Sequence, residues 1–549
     1  MGSKVVVIGL DGAAPELIER WAEELPNLKR IIDGGVFGRL QTVIPPLSCP
    51  AWNCFATGKN PAKIGIFGFE HLDAGGPRIA NAFMQDGPSL WELIGQQGQQ
   101  VVVLNVPCTY PIRPVNGVLV SGFLTPPSAR DYVFPPSLRR ELERAAGGYE
   151  IDFSLFSQLG IRGKEGLFLE GLYRVMGKQA GVAKLLIEGH PWNFFMVVFT
   201  APDRIQHWFW HHMDETHPRH DPVLARRFGN AIKVCYQRLD AIVGELMAAV
   251  DQDTTLLLLS DHGFGPLHSR FLINDWLVRE GYLILKDRRP QSLMARIGLT
   301  RVQVRGVLWK LRLLWLLELA KPLIPRRIVE TVPLHPHLFA GGVDWTRTRA
   351  YSLAEGIGTI YINHERRPGG IVRFGGEYER LREEIVGKLR QLRHPRTGRP
   401  LVDEKIFFRE EIYAGRHLEQ APDICCSLDG HRIEAFPKIG GRTAFIEDAR
   451  SGGHRPDGVW MMGGPDVRPG LTLDAHIMDL APTTLHLMNL PVLAAMDGRV
   501  LREAFKPGSE PAQRPIQVVG GEGIGMGSGL TTEEEAEIRE RLRAMGYLD

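Results

Sequence analysis

Four short stretches of the chain are almost continuously apolar, and each runs up to a polar residue that can carry chemistry. They are 4–10 ahead of Asp11, 100–105 ending on Asn105, 194–200 ahead of Asp203, and 254–260 ahead of Asp261. A strand covered on both faces needs apolar side chains at successive positions, not alternate ones. Runs of this kind therefore fit parallel strands sandwiched between helices. Helical patterns separate them, at 14–21, 88–96, 136–145, 163–188 and 222–250. The alternation predicts an α/β fold of three layers, α/β/α, around a mostly parallel central sheet. Open sheets of this type bind ligands at the carboxyl edge of their strands, so Asp11, Asp203 and Asp261 are expected to share one edge.

Composition narrows the function. With 44% hydrophobic and 23% charged residues among 549, the chain can bury a core and is not disordered. Lys and Arg total 65 against 63 for Asp and Glu, without the basic excess of a nucleic-acid binder, so no nucleic-acid polymer is expected as a partner. Six cysteines without a CxxC spacing argue against a disulfide framework or a cysteine zinc site, and Cys49 reads as a small buried residue. The first apolar run is too short for a membrane span and lacks a cleavage site, and 302–319 is interrupted by Arg305, Lys310, Arg312 and Glu318. A soluble, cytoplasmic protein is expected.

Residues 1–286 and 345–505 read as one discontinuous catalytic core. The basic, Leu- and Trp-rich stretch 287–344 reads as a helical cap insertion. Its segment 301–321, apolar around most of a helical wheel, is expected to pack within the protein; a lid or a membrane-surface contact is the alternative. Residues 506–549 form a Gly-rich linker and a helix, with Thr532 and Glu535 at capping-box spacing.

Three segments pair carboxylates with histidines or precede them. Asp11 follows the first strand; Asp203 and His207, four apart, share a helix face; Asp261 and His262 follow the fourth strand. His454 stands later, among glycines. Mixed Asp and His donors suit zinc, with manganese as the alternative. Ser48, in Pro45-Pro46-Leu47-Ser48-Cys49-Pro50-Ala51-Trp52, is a turn residue or a hydroxyl nucleophile activated by a metal. No G-x-S-x-G elbow surrounds it and no P-loop is present.

Taken in order, Gly9-Leu10-Asp11-Gly12, Ser48-x-Pro50-Ala51-Trp52 with Thr57-Gly58-Lys59-Asn60-Pro61, Asp203-x3-His207, Ser260-Asp261-His262-Gly263 and Gly453-His454 resemble the alkaline phosphatase superfamily. Within it they resemble the type I phosphodiesterase/nucleotide pyrophosphatase branch, which includes predicted phosphohydrolases and phosphomutases. The resemblance implies an alkaline-phosphatase-like fold and two divalent metal ions. Asp11, Asp261 and His262 would bind one; Asp203, His207 and His454 would bind the other; Ser48 would be the nucleophile. Two cations about 4 Å apart clamp the attacking and leaving oxygens of an in-line displacement. Against three carboxylates and neutral imidazoles they leave a net charge of about +1, which favours a small phosphate ester as substrate.

Two positions depart from the pattern. Where the branch carries an asparagine for a phosphate oxygen, this chain has Phe69, so Asn53 and Asn105 are candidate substitutes for substrate binding. The sulfatase motif has an arginine where Trp52 stands, which argues against a sulfatase. The expected activity is hydrolysis of phosphodiesters through a phospho-serine at Ser48. The alternatives are a phosphomutase using the same phospho-serine and a non-catalytic binding protein on a decayed phosphatase fold.

Overall fold

The strand Val5–Leu10 lies at the centre of the main sheet because it is covered on every side. It pairs in parallel with Phe194–Phe199 on one edge and with Thr255–Leu259 on the other. Val101–Leu104 and Gly117–Val120 extend the sheet in parallel beyond Phe194–Phe199. In the computed structural model the described residues are 3–73, 76–145, 147–152, 161, 163–286, 342–440, 444–520 and 529–548. The expected cap at 287–344, with its segment 301–321, lies outside them apart from 342–344.

The continuous apolar runs are divided residue by residue between two cores. Val5, Val7, Val101, Val103, Phe194, Met196, Val198, Leu257 and Leu259 face one side. Val6, Ile8, Val102, Leu104, Phe195, Val197, Phe199, Leu256 and Leu258 face the other. Side chains alternate across a strand, so apolar residues at successive positions serve two helical layers, and the expected α/β/α architecture follows. Helices Ser48–Thr57, Leu90–Gln96 and Leu480–Leu487 pack on the first face. Pro15–Arg20, Pro26–Gly34, Glu165–Gly189, Ala201–Met213 and Ala231–Ala248 pack on the second. The 222–250 pattern divides into Pro222–Phe228 and Ala231–Ala248, with the weak helix formers Gly229 and Asn230 between them.

Two strands of this sheet run against the parallel pattern, Val133–Phe134 at one edge and one nearer the centre, and the second matters most for the site. Asp457–Gly463 runs antiparallel to both Thr255–Leu259 and Val36–Gln41. Its beginning therefore lies at the carboxyl edge of the parallel strands. Just ahead of it, Gly452–Arg455 pairs antiparallel with Gly263–Pro266, placing His454 opposite Phe264. This ribbon carries a histidine from late in the chain to the edge already occupied by Asp11 and Asp261.

A second sheet of seven strands, formed by Ser269–Leu272 and strands between 350 and 446, has its own core around Phe271, Ile360, Ile385 and Ile424. The helix Thr532–Met545 packs on the main domain, burying Ile538, Leu542 and Met545 in its core. Its capping box is formed one residue earlier than expected, by Thr531 and Glu534; adjacent threonines and glutamates offer the same spacing in two registers. Cys49 is not a lone buried thiol: it is disulfide-bonded to Cys108 with Cα atoms 6.0 Å apart, which corrects the reading of that residue. Among the described residues no helix is long and apolar enough to cross a membrane.

The central strand leaves no room at Gly9, where a Cβ would lie 2.5 Å from the Trp52 ring and 2.8 Å from Val198. Both neighbours are fully buried. Gly9→Ala is expected to destabilise the protein by about 1–3 kcal/mol in urea denaturation. A variant as stable as the wild type would show that the Trp52 helix can shift away freely.

Candidate metal centre

The carboxyl edge of the sheet assembles all six predicted ligands and the serine in one buried cluster. Asp11, Ser48, Asp203, His207, Asp261, His262 and His454 are all at most 7% exposed. Asp203 and His207 lie on one face of helix Ala201–Met213, His207 Nε2 3.3 Å from Asp203 Oδ1. His454 Nε2 lies 3.2 Å from the same carboxylate oxygen and 3.1 Å from His207 Nε2. A tetrahedral ion with bonds of about 2.0–2.1 Å spaces its ligand atoms about 3.3 Å apart. This triangle of donor atoms has that spacing.

The second group lies beside the first and is linked to it through His262. Asp11, Asp261 and His262 bring ligand atoms together, as do Asp203, His262 and His454. The His262 and His454 rings stack at 3.7 Å. His262 Nε2 is 3.3 Å from Asp261 Oδ2 and 3.9 Å from Asp11 Oδ1. The Asp261 Oδ2 atom is buried without a hydrogen bond, an arrangement a protein interior rarely leaves unpaired unless the atom has another use. Its partner oxygen accepts from the Gly12 amide at 3.0 Å.

Backbone carbonyls set the histidine tautomers. His207 Nδ1 faces Gly452 O at 2.8 Å, His454 Nδ1 faces Pro46 O at 2.9 Å, and His262 Nδ1 faces Gly263 O at 3.1 Å. A carbonyl can only accept, so each Nδ1 carries its hydrogen, and in the neutral ring each Nε2 directs a lone pair into the cluster. Lone pairs of two imidazoles and a carboxylate, converging within 3.3 Å, repel unless a proton or a cation lies between them. The donor set fits two divalent cations.

The ionisation of the cluster points the same way. Burial, with Asp261 and Asp203 nearby, holds Asp11 well above the usual carboxylate range. Burial pushes Asp261 up to about 7, with the charge of Asp203 adding to it. Asp203 is held well below the usual range despite burial, by contact with His207, then with His454 and the Arg204 guanidinium. Burial lowers His207 and His262, whereas contact with Asp203 overcomes burial at His454 and raises it. Protons thus take the place of cations between these donors, and metal binding would displace them.

Ser48 is the first residue of helix Ser48–Thr57, and its Oγ is 3.4 Å from Asp11 Oδ1 and 3.3 Å from His262 Nε2. Trp52, one turn on, donates its indole N–H to Asp11 Oδ2 at 3.1 Å, so the residue that breaks the sulfatase pattern supports a predicted ligand. The two asparagines stand apart. Asn53 donates back along its own helix to Cys49 O at 2.7 Å. Asn105 accepts from the Tyr149 hydroxyl, and its Nδ2 is buried without a partner. Neither hydrogen-bonds to the cluster. Phe69 packs against Phe123 and Tyr547.

Two contributors were not evident in the sequence, Arg204 and Tyr547, and Trp52 stood in a matched motif without a role. Arg204 adjoins a predicted ligand and could have been noticed there; nothing near Tyr547 announces it. A cavity of about 610 Å³, lined by Trp210, Met213, Phe264 and Arg455 among others, contains none of the cluster residues. The Phe264 ring, against His207 at 4.7 Å and His454 at 5.5 Å, forms the wall between.

A family model described as Type I phosphodiesterase / nucleotide pyrophosphatase matches residues 5–316. No curated protein sequence matches the chain. Among solved structures, an inactive variant of murine ectonucleotide pyrophosphatase / phosphodiesterase 5 in complex with AMP aligns with a TM-score of 0.50 and 12% identity, over 92% of this chain and 100% of that one. The same murine protein in a second structure gives identical figures. Its human counterpart gives a TM-score of 0.49 at 12% identity and the same coverage. At this identity the likeness is one of fold.

Asp261 makes the site sensitive to pH. Its pKa of about 7 lies above the ordinary aspartate value of 3.8. For a raised acid, the stabilising contribution is complete below the unfolded pKa and is lost as pH rises through the folded one. Asparagine cannot ionise. In chelator-treated protein, Asp261→Asn is therefore expected to gain stability relative to wild type between about pH 4 and about pH 7, read from urea midpoints. A difference that stays flat across that range would contradict the raised pKa.

Proposed function

Because the chain belongs to the type I phosphodiesterase / nucleotide pyrophosphatase family, two-metal hydrolases of phosphoric esters, we propose that it hydrolyses small phosphodiesters at the Asp11–Ser48–Asp203–Asp261 cluster. Ser48 is the nucleophile in this reading. Asp11, Asp261 and His262 hold one divalent cation, and Asp203, His207 and His454 hold the second, with zinc preferred for the mixed Asp and His donors. Bound there, the cations supply Lewis acidity and charge for the anionic ester.

The observation that carries the reading is the position of Ser48 Oγ, within 3.4 Å of ligand atoms from Asp11 and His262. As Oγ forms a bond to phosphorus, the P–O bond to the leaving alcohol breaks with its electron pair on the ester oxygen, and the proton shed by Oγ is made up on that oxygen through water. Water then cleaves the phospho-serine, releasing a phosphate monoester and restoring Ser48. The first turn of helix Ser48–Thr57 leaves backbone N–H groups without intrahelical partners and presents the positive end of its dipole. These donors supply an anion site where Phe69 offers none. Removing an oxyanion donor from such a site costs roughly 3 kcal/mol of barrier, so a substitute of this kind is expected.

The test is a panel of chromogenic phosphomonoesters and diesters, nucleotide esters included, with zinc and then manganese. Faster turnover of diesters supports the reading; release from monoesters alone overturns the diester preference. Ser48→Ala is expected to lower turnover by about 10³-fold or more with both metals retained, because this reading assigns the covalent step to Oγ. Retention of a tenth of wild-type activity would assign the attack to another group. His454→Ala is expected to release one metal on mild chelation and keep the other, with activity partly restored by excess metal. If both metals survive chelation, a different residue completes that site.

A further inference from the structure

The segment beyond helix Thr532–Met545 enters the cluster. Gly546, at φ 84°, ends the helix in the left-handed region, and its carbonyl accepts from Arg270 at 2.9 Å. The turn directs Tyr547 inward, where it is 2% exposed. Its ring lies against Phe69 at 5.1 Å and Phe123 at 6.2 Å. The apolar body of a tyrosine suits that wall, while its hydroxyl can reach a polar partner beyond it. Here the hydroxyl donates to Asp203 Oδ2 at 2.8 Å and accepts from Arg204 Nη1 at 2.9 Å.

Arg204 is itself anchored, by Asp152 Oδ2 at 2.8 Å, and its guanidinium also contacts Asp203 Oδ2 at 2.5 Å. The two oxygens of Asp203 are thereby divided. Oδ2 takes two donors from outside the cluster, and Oδ1 faces His207 and His454. A carboxylate with one oxygen held by two donors cannot rotate freely, so the other oxygen stays aimed at the imidazoles. The phenol proton is spent on Asp203. His207 Nε2, 3.1 Å from the same hydroxyl, therefore keeps its lone pair. Trp52 treats Asp11 in the same manner, donating to its Oδ2. Salt bridges Arg539–Glu70 at 2.7 Å and Arg78–Glu535 at 2.6 Å fasten the helix that delivers Tyr547.

We propose that Tyr547 is a positioning residue of the metal centre: its hydroxyl, together with the Arg204 guanidinium, pins the outer oxygen of Asp203 so that the inner oxygen, His207 and His454 hold one divalent cation. The proposal rests on the two-metal reading above and assigns a role to a segment that lies outside the matched motifs. Groups that orient metal ligands typically contribute 10–100-fold in metal affinity.

The experiment is zinc titration of the chelator-stripped full chain, wild type and Tyr547→Phe, by competition with a chromophoric chelator. Phenylalanine keeps the ring against Phe69 and Phe123 and removes only the hydroxyl. One zinc is expected to weaken about 10–100-fold and the other to bind as in wild type, with the stripped variant still unfolding in a single cooperative transition. Arg204→Lys, which leaves the phenol in place, is expected to weaken the same zinc and serves if the first variant does not fold. If wild type binds two zinc ions and both variants bind both equally well, the ring merely packs and the proposal fails. A Tyr547→Phe enzyme faster than wild type at saturating zinc would also overturn it, by showing that the hydroxyl obstructs the site. A wild type that takes up no zinc overturns the two-metal reading and this role with it.

Discussion

Two imidazole nitrogens and a carboxylate oxygen meet within 3.3 Å in a region closed to solvent. Such a convergence is repulsive on its own account, since desolvation removes the water that would otherwise separate the lone pairs. It persists because the rest of the fold holds each donor from behind. Carbonyls of Pro46, Gly263 and Gly452 fix the imidazoles, and Trp52, Gly12, Arg204 and Tyr547 hold the carboxylates. The parallel strands, the antiparallel ribbon and the last described helix are the means by which these supports reach one point.

This dependence explains how the chain is arranged. Asp11, Asp203 and Asp261 follow neighbouring parallel strands, so strand order alone brings them together. His454 needs a different device: the pairing of Gly452–Arg455 with Gly263–Pro266 and the reversed direction of Asp457–Gly463. Tyr547 needs a third, a helix fastened across the first layer and turned inward at Gly546. The farther a residue lies from the strand edge in sequence, the more structure is devoted to placing it.

Legibility in the sequence follows the same gradient. The buried strands at 4–10, 100–105, 194–200 and 254–260 could be read directly, because continuous apolar runs have few other uses in an α/β chain. The six metal-ligand candidates and Ser48 were legible as a set of motifs, and all of them meet in one cluster. Asn53 and Asn105 are the sequence's candidates for the place of the missing donor. Spacing cannot show that Asn53 bonds back to Cys49 and Asn105 to Tyr149. The antiparallel strand Asp457–Gly463 carries no parallel signature, and the Cys49–Cys108 bond joins residues 59 apart with no motif between them. Tyr547 was invisible for a physical reason: its role is defined wholly by a tertiary contact with Asp203, and its own neighbours in sequence are ordinary helix-end residues.

Two cations bound side by side in this cluster are what the proposed chemistry requires. Crystals of the full chain grown with zinc, with anomalous diffraction recorded above and below the zinc edge, test it most directly. Two anomalous peaks about 4 Å apart are expected, one among Asp11, Asp261 and His262 and the other among Asp203, His207 and His454. A single peak, or peaks only at surface histidines, would contradict it.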